Sequence, residues 1–217
     1  MLALAQPAKA RIVYTPTHRV IGKDQHYNFD LNHDGITDFT LVNSYGCNQD
    51  WCYDVLNANR VGSNGVEGAP GFLSIPYAYA LNRGSQIGGS RPFRGQLMAS
   101  SNMGQLGRWI NVTNKYLGFK FQIHGKTHYG WARLNVQIVN SGPVIVATLT
   151  GYAYETVPDK PIVAGKTSGP DEESPSGQAD PAVFDAPAPE PATLGLLAMG
   201  WPGVSVWRRK ESVGVAQ

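Results

Sequence analysis

The chain has few charged residues, and this scarcity narrows the kinds of partner it can have. Charged residues make up 16% of its 217 residues, and the net charge is +2. Residues 11–168 hold fourteen Lys and Arg against nine Asp and Glu, with no run of basic residues. Proteins that bind nucleic acids neutralise phosphates with clustered Lys and Arg. The composition therefore argues against a nucleic-acid partner.

Helical patterns are also missing. No stretch of ten residues within 11–168 repeats its apolar residues at the spacing of an amphipathic helix. Glycine (25) and proline (15) are frequent and aromatic residues make up 10%, a balance typical of turn-rich β proteins. There is no internal repeat, which excludes a propeller built on repeats. We predict an all-β domain over 11–168, an antiparallel β-sandwich, of which a jelly roll is one form.

Motifs for catalysis are scarce as well. Residues 11–168 contain two glutamates, Glu67 and Glu155, whereas a glycosidase needs two carboxyl groups about 5–9.5 Å apart. No G-x-S-x-G is present, so a serine-hydrolase elbow has no support. Two Gly-Lys-Thr triplets lack the earlier glycine of a P-loop, because Lys120 and Lys160 stand in its place. We predict that the protein is not an enzyme, with a glycan-active enzyme as the remaining catalytic alternative.

Only two cysteines are present, Cys47 and Cys52. A zinc site would need two more ligands, and His124 and His128 are the one histidine pair with suitable spacing. A local disulfide that closes a loop is the simpler interpretation. The surrounding residues 44–71 are predicted to form a long pinned loop or short strands.

The clearest strand signal spans residues 116–136. Apolar residues alternate from Leu117 to Ile123, His124 and Gly125 supply a tight turn, and a second strand returns from Lys126. A two- or four-residue turn places Phe119, Phe121, Ile123, Ala132, Leu134 and Val136 on one face, and Lys120, Gln122, Tyr129, Trp131 and Arg133 on the other.

The second face mixes aromatic rings with hydrogen-bonding groups, as a carbohydrate-binding platform does. Its five residues are therefore candidates for glycan binding. Aromatic residues in strands usually belong to a core. The alternative is that Tyr129 and Trp131 are buried in the second layer of the sandwich, with Arg133 at the rim.

Residues 30–38 have the spacing of a cation-binding loop. Oxygen-bearing side chains occupy positions 1, 3, 5 and 9 (Asp30, Asn32, Asp34, Asp38), and Gly35 allows a sharp turn. Ile36 can offer its backbone carbonyl, and calcium takes about six to eight oxygen ligands. An EF-hand would have Glu where Leu41 stands, and the flanking residues read as strands rather than helices.

The D-x-N-x-D-G-x-x-D pattern resembles the calcium loop of integrin-type and related bacterial repeats, which joins two β-strands. That resemblance implies a structural Ca²⁺ bound by Asp30, Asn32, Asp34, Ile36 and Asp38. The alternative is an Asp/Asn-Gly hairpin turn, which uses the same residue types.

The beginning of the chain resembles the last part of a secretory signal peptide. Residues 1–10 are apolar and end in Ala8-Lys9-Ala10, which fits the small-x-small pattern of a cleavage site. We therefore expect 1–10 to be the remnant of a signal peptide and the protein to be exported.

The end of the chain consists of four parts: a linker, a Pro-Glu-Pro motif, an apolar stretch and a basic cluster. Residues 169–188 are rich in Pro, Ser, Gly, Ala and acids, and are predicted to form a disordered linker. Residues 192–207 form an apolar stretch of sixteen residues. As a helix it would reach about 24 Å, short of the roughly 30 Å of a bilayer core. The stretch is preceded by Pro189, Glu190 and Pro191 and followed by Arg208, Arg209 and Lys210.

This arrangement resembles the PEP-CTERM sorting signal of exopolysaccharide-producing Gram-negative bacteria. The resemblance covers 189–210, with 211–217 as a tail. It implies an exosortase-type processing enzyme as partner and a transient membrane contact through the apolar segment, with the basic cluster kept on the cytoplasmic side. We expect a non-catalytic surface or matrix protein of the cell envelope, with a lectin-like carbohydrate-binding module as the alternative.

Overall fold

Strands form almost all of the regular structure in the computed structural model, which describes residues 11–101, 105–139 and 144–169. In these ranges the strands are β1 (Ile12–Ile21), β2 (His26–Phe29), β3 (Phe39–Cys47), β4 (Cys52–Arg60), β5 (Gly65–Val66), β6 (Gly68–Pro70), β7 (Pro76–Ala78), β8 (Gln86–Ile87), β9 (Leu97–Ser100), β10 (Leu106–Gly107), β11 (Val112–Ile123), β12 (Lys126–Val139), β13 (Val144–Glu155) and β14 (Ile162–Val163). A short 3-10 turn covers Phe72–Ser74. The predicted all-β fold is confirmed.

Two sheets form the sandwich. The first has the strand order β1-β13-β12-β11-β5, and the second has the order β2-β3-β4-β9-β7-β6, with β10 paired to β9. Nearly all pairs are antiparallel, the exception being β7 with β9. Sequential strands pair in both sheets (β11-β12-β13 and β2-β3-β4), which is a meander rather than the double Greek key of a jelly roll.

The main core lies between the sheets. Phe29 and Phe39 of the second sheet contact Phe119 of the first, with ring centroids 5.5 Å and 4.3 Å apart. Strands β11 and β12 are joined by the two-residue turn at His124 and Gly125. The predicted inward face is confirmed, since this core contains Phe119, Phe121, Ala132, Leu134 and Val136, with Ile123 packed against it.

A second apolar cluster covers the opposite face of the first sheet. Its members come from β1, β8, β11, β12, β13 and the region of β14, and from the connection between β7 and β8. They are Ile12, Leu81, Ile87, Tyr116, Tyr129, Trp131, Ala153, Ile162 and Ala164. The small β8–β14 pair supplies part of this cover. The first sheet is therefore buried on both faces.

Strand β1 runs through Pro16 to Ile21, with a register shift between Pro16 and Arg19. Because β1 is an edge strand, a residue without a backbone N–H is tolerated there. Of the two predictions for residues 44–71, strands are confirmed and a long loop is wrong, because β3 and β4 form a regular hairpin that reaches Cys47 and Cys52, and β5 and β6 follow it.

Several predicted segments lie outside the described residues. These are the signal-peptide remnant 1–10, the linker 169–188 apart from Gly169, the sorting segment 189–210 and the tail 211–217. Within the described ranges, no helix is long and apolar enough to cross a membrane.

Candidate metal centre

The loop 30–38 connects β2 to β3 and is fixed at its base. Phe29 and Phe39 pair across the two strands and are both fully buried. The backbone N–H of Asp38 donates to the carbonyl of Phe29 over 2.9 Å, which closes the loop. The buried ends and this hydrogen bond hold the two limbs of the loop together.

Short hydrogen bonds fold this loop around its own carboxylates. Asp30 accepts from the backbone N–H groups of His33 (2.7 Å) and Gly35 (2.8 Å). Asp34 accepts from the N–H of Ile36 over 2.8 Å. Gly35 has a φ of 86°, in the left-handed region that glycine adopts without strain. The sequence therefore folds locally because each acid satisfies the backbone of the following turn.

Asp38 is the buried member of the set, with 5% of its surface exposed. Its carboxylate accepts from the N–H of Leu31 (2.9 Å) and from the side-chain amide of Asn64 (3.3 Å). Burial, with a smaller contribution from the negative charges of Asp30 and Asp34, raises the pKa of Asp38 to about 6 against the lowering effect of the two donors. A buried carboxylate beside two others gives this site a strongly negative electrostatic potential.

The side-chain oxygen of Asn32 accepts no hydrogen bond in the structure. Its amide nitrogen donates to Asp34 over 2.9 Å, which with the N–H of Ile36 lowers the pKa of that carboxyl. The side-chain oxygen of Asn32 is buried and has no hydrogen-bond partner. Buried acceptors are rarely left unsatisfied. This oxygen fits the role of a cation ligand.

The loop thus brings the four predicted side chains, those of Asp30, Asn32, Asp34 and Asp38, into one turn. Ile36 has an exposed side chain (66%), as suits a position predicted to act through its backbone. In the described ranges, no group of three or more His, Cys, Asp or Glu side chains is placed to hold a metal ion. The three carboxylates of the predicted calcium set, Asp30, Asp34 and Asp38, are therefore not gathered around one point, and their oxygens accept hydrogen bonds from backbone N–H groups of the loop.

Two contacts of this loop could not be found by sequence reasoning. His33 hydrogen-bonds through its Nε2 atom to Thr15 of β1 (3.1 Å) and Tyr152 of β13 (3.2 Å). Asn64 binds Asp38 from 26 residues away. Both contacts depend on tertiary structure, and together they tie the loop to the two sheets.

The structure joins Cys47 to Cys52 by a disulfide with an S–S distance of 2.03 Å. The two cysteines face each other at the end of the β3–β4 hairpin. His128, the residue considered as part of a zinc alternative, is buried, and its Nδ1 atom lies 2.9 Å from the carbonyl of Glu155.

Of the two interpretations of the aromatic face on β11 and β12, the buried one is confirmed and the exposed glycan-binding platform is wrong. Tyr129 and Trp131 are 4% and 1% exposed, because the second apolar cluster covers them. Arg133 donates to the hydroxyl of Thr150, and the side chain of Gln122 to that of Thr127. Lys120 shares the face as predicted but lies over the ring of Phe93.

Each of the two glutamates is held by a cation. The buried Glu67 accepts from Arg91 Nε over 2.6 Å, and the buried Glu155 lies 3.3 Å from the ammonium of Lys160. Burial raises the pKa of Glu67, with Arg91 acting in the opposite direction.

Comparison of the chain with protein-family models, curated proteins and solved structures found no match.

Proposed function

We propose that the β-sandwich is a non-catalytic, calcium-stabilised domain of an exported protein that is sorted to the cell envelope or extracellular matrix by its C-terminal segment. The observation that carries the calcium proposal is the buried, donor-free oxygen of Asn32 in the same loop as the buried carboxylate of Asp38. Asp30 and Asp34 complete the set of side-chain ligands, with the backbone carbonyl of Ile36.

The physical argument is charge balance. Three carboxylates within nine residues repel one another, and the raised pKa of Asp38 reflects that repulsion together with its burial. A divalent cation removes the repulsion and supplies the missing partner for Asn32. Oxygen-only ligands suit Ca²⁺ better than zinc or copper, which prefer nitrogen and sulfur.

Export is supported by two independent features. The Cys47–Cys52 disulfide belongs to an oxidising compartment. The PEP-CTERM-like segment, with Pro189, Glu190 and Pro191 ahead of an apolar stretch and a basic end, resembles a sorting signal. The proposed partner is an exosortase-type enzyme in a Gram-negative bacterium, after transient membrane contact through 192–207.

Thermal unfolding of the full chain with calcium and with EDTA tests the proposal. Extracellular modules bind calcium with Kd values of about 10⁻⁴–10⁻³ M, so that about 10 mM Ca²⁺ stabilises the fold by roughly 1.4–2.7 kcal/mol. For a domain of this size, that corresponds to a rise in Tm of about 3–10 °C. The substitution Asp34→Ala should lower the Tm and abolish its dependence on calcium.

Asp50→Ala is the matched control, because Asp50 is an exposed acid in another turn, between β3 and β4. It changes the net charge equally but should keep the full calcium effect. Equal melting temperatures in calcium and EDTA for the unaltered protein would contradict the proposal, as would an undiminished calcium effect in Asp34→Ala.

A further inference from the structure

A basic groove runs along the side of the sandwich where β6, β7 and the loop before β9 meet the first sheet. It consists of two adjoining concavities of about 600 and 590 Å³ that share Pro70 and Arg94 as lining residues. The first concavity also has Arg60 in its wall, and the second has Arg91 and Lys120. Four cations are therefore distributed over two concavities that have Pro70 and Arg94 as common walls.

The backbone of residues 92–95 holds this wall in place. Gly68 donates to the carbonyl of Pro92, and the N–H of Arg94 donates back to Gly68. Phe93 lies against Gly65, where an added Cβ would stand 2.7 Å from that of Phe93. The glycine therefore permits the close approach that brings Phe93 and its flanking arginines to the first sheet.

The groove has almost no compensating negative charge. Within the described ranges, Arg60, Arg94 and Lys120 form no ion pair, and Arg91 pairs with Glu67 through Nε alone. The terminal nitrogens of Arg91 are left for another acceptor. Asp159 is the other acid near this region. Burial raises the pKa of Tyr129, and the negative charge of Asp159 raises it to a smaller extent.

Neutral groups in the second concavity add ring and hydroxyl contacts. Phe93 is half-buried and stacks on Tyr129, with centroids 5.8 Å apart and planes at 27°. The hydroxyl of Tyr129 has no hydrogen-bond partner among the described residues. It lies beside Gly89, where an added Cβ would approach it to 3.1 Å. Tyr129, Phe93 and three cations thus line this concavity.

We propose that this groove binds an acidic polysaccharide, whose carboxylate or sulfate groups pair with Arg60, Arg91, Arg94 and Lys120. An extended polyanion fits better than a small anion because the cations span two concavities. The aromatic rings stack on each other, so the groove offers no separate platforms for successive bases of a nucleic acid. The preference for a polysaccharide also rests on the proposed export, whereas the groove itself does not depend on it.

The test measures binding of the full chain to hyaluronate, which carries carboxylates, and to dextran sulfate, with neutral dextran and a single-stranded DNA oligonucleotide for comparison. The groove variant combines Arg60→Gln, Arg94→Gln and Lys120→Gln. Arg91 is kept, because removing it would leave the buried Glu67 unpaired. The matched control has the same charge change at exposed residues that do not line the groove: Arg19→Gln, Arg83→Gln and Lys126→Gln.

We expect binding to one or both acidic polysaccharides, none to neutral dextran, and weaker binding as salt increases. The groove variant should bind at least about tenfold more weakly, since a tenfold change in Kd corresponds to about 1.4 kcal/mol, the order of one hydrogen bond to a charged group. The control should bind as the unaltered protein does, and both variants should keep its Tm.

Absence of binding to both acidic polysaccharides would overturn the inference, as would equal losses in the groove and control variants. DNA binding as tight as polysaccharide binding would overturn the ligand class. The Asp34→Ala protein, which tests calcium, should still bind the polysaccharide, so the failure of one proposal can be told from the failure of the other.

Discussion

Replacing Trp131 distinguishes whether this residue belongs to the core or to a ligand-binding surface. The indole is 1% exposed and lies among aromatic neighbours, with ring centroids 5.8 Å from Tyr14 and 5.2 Å from Tyr116. Both neighbours come from other strands of the first sheet, so the ring helps to fill the second cluster. Trp131→Ala should therefore leave a cavity that the surrounding strands cannot close.

Truncation of a buried Trp to Ala typically costs about 3–5 kcal/mol. The indole N–H of Trp131 is buried without an acceptor, so the native residue already carries a penalty of about 1–3 kcal/mol. Trp131→Phe removes that donor while keeping most of the ring volume, and should cost clearly less than Trp131→Ala.

Urea unfolding followed by circular dichroism measures both differences, with the midpoint compared at an unchanged m-value. A loss below about 1 kcal/mol for Trp131→Ala would contradict the buried position, because exposed substitutions usually fall within about 0.5 kcal/mol. A loss for Trp131→Phe as large as for Trp131→Ala would show that the unpaired N–H carries no penalty.

Two further predictions concern buried polar groups. Gly118→Ala should destabilise by about 1–3 kcal/mol, since its Cβ would stand 2.6 Å from Glu67 Oε2, whereas the control Gly22→Ala, whose nearest contact is at 3.9 Å, should not. Equal unfolding midpoints would contradict this. Asp54 is fully buried, and burial raises its pKa from 3.8 to about 6. The folded state therefore binds its proton more tightly, and the contribution of Asp54 to stability falls as pH rises between these values. Relative to the unaltered protein, the free energy of unfolding of Asp54→Asn should increase by up to roughly 3 kcal/mol across that window. Urea unfolding at several pH values measures this difference. A difference that does not depend on pH would refute the assignment.

Alternation in β11 and β12 was enough to predict which residues share a face, but not that both faces are buried. Phe119 and Leu134 face the main core, as their period of two indicates. Trp131 is covered by Leu81, Ile87 and Ile162, which come from short or irregular segments without periodicity. Such cover is set by tertiary packing, so the aromatic face looked like a surface.

The turn at residues 30–38 was predictable because its hydrogen bonds are local, whereas calcium binding by this loop stays a prediction. Asp30, Asn32 and Asp34 act within a single turn, and Gly35 supplies the left-handed residue that the turn needs. The contacts that anchor the loop, from His33 and Asn64, join residues far apart in sequence. They follow only once the two sheets are assembled.

The basic groove shows the limit of counting charges. A dispersed surplus of Lys and Arg argued against a polyanionic partner of the nucleic-acid kind. Folding nevertheless brings Arg60, Arg91, Arg94 and Lys120 to two adjoining concavities, whereas Asp38, Asp54, Glu67 and Glu155 are buried. Local charge density depends on topology, which composition does not contain.

Direct titration of the calcium-free protein with Ca²⁺ by calorimetry tests the central claim most directly. The account predicts one Ca²⁺ per chain, with a Kd of about 10⁻⁴–10⁻³ M, and no measurable binding in Asp34→Ala while Asp50→Ala binds normally. Absence of binding in the unaltered protein, or unchanged binding in Asp34→Ala, would contradict it.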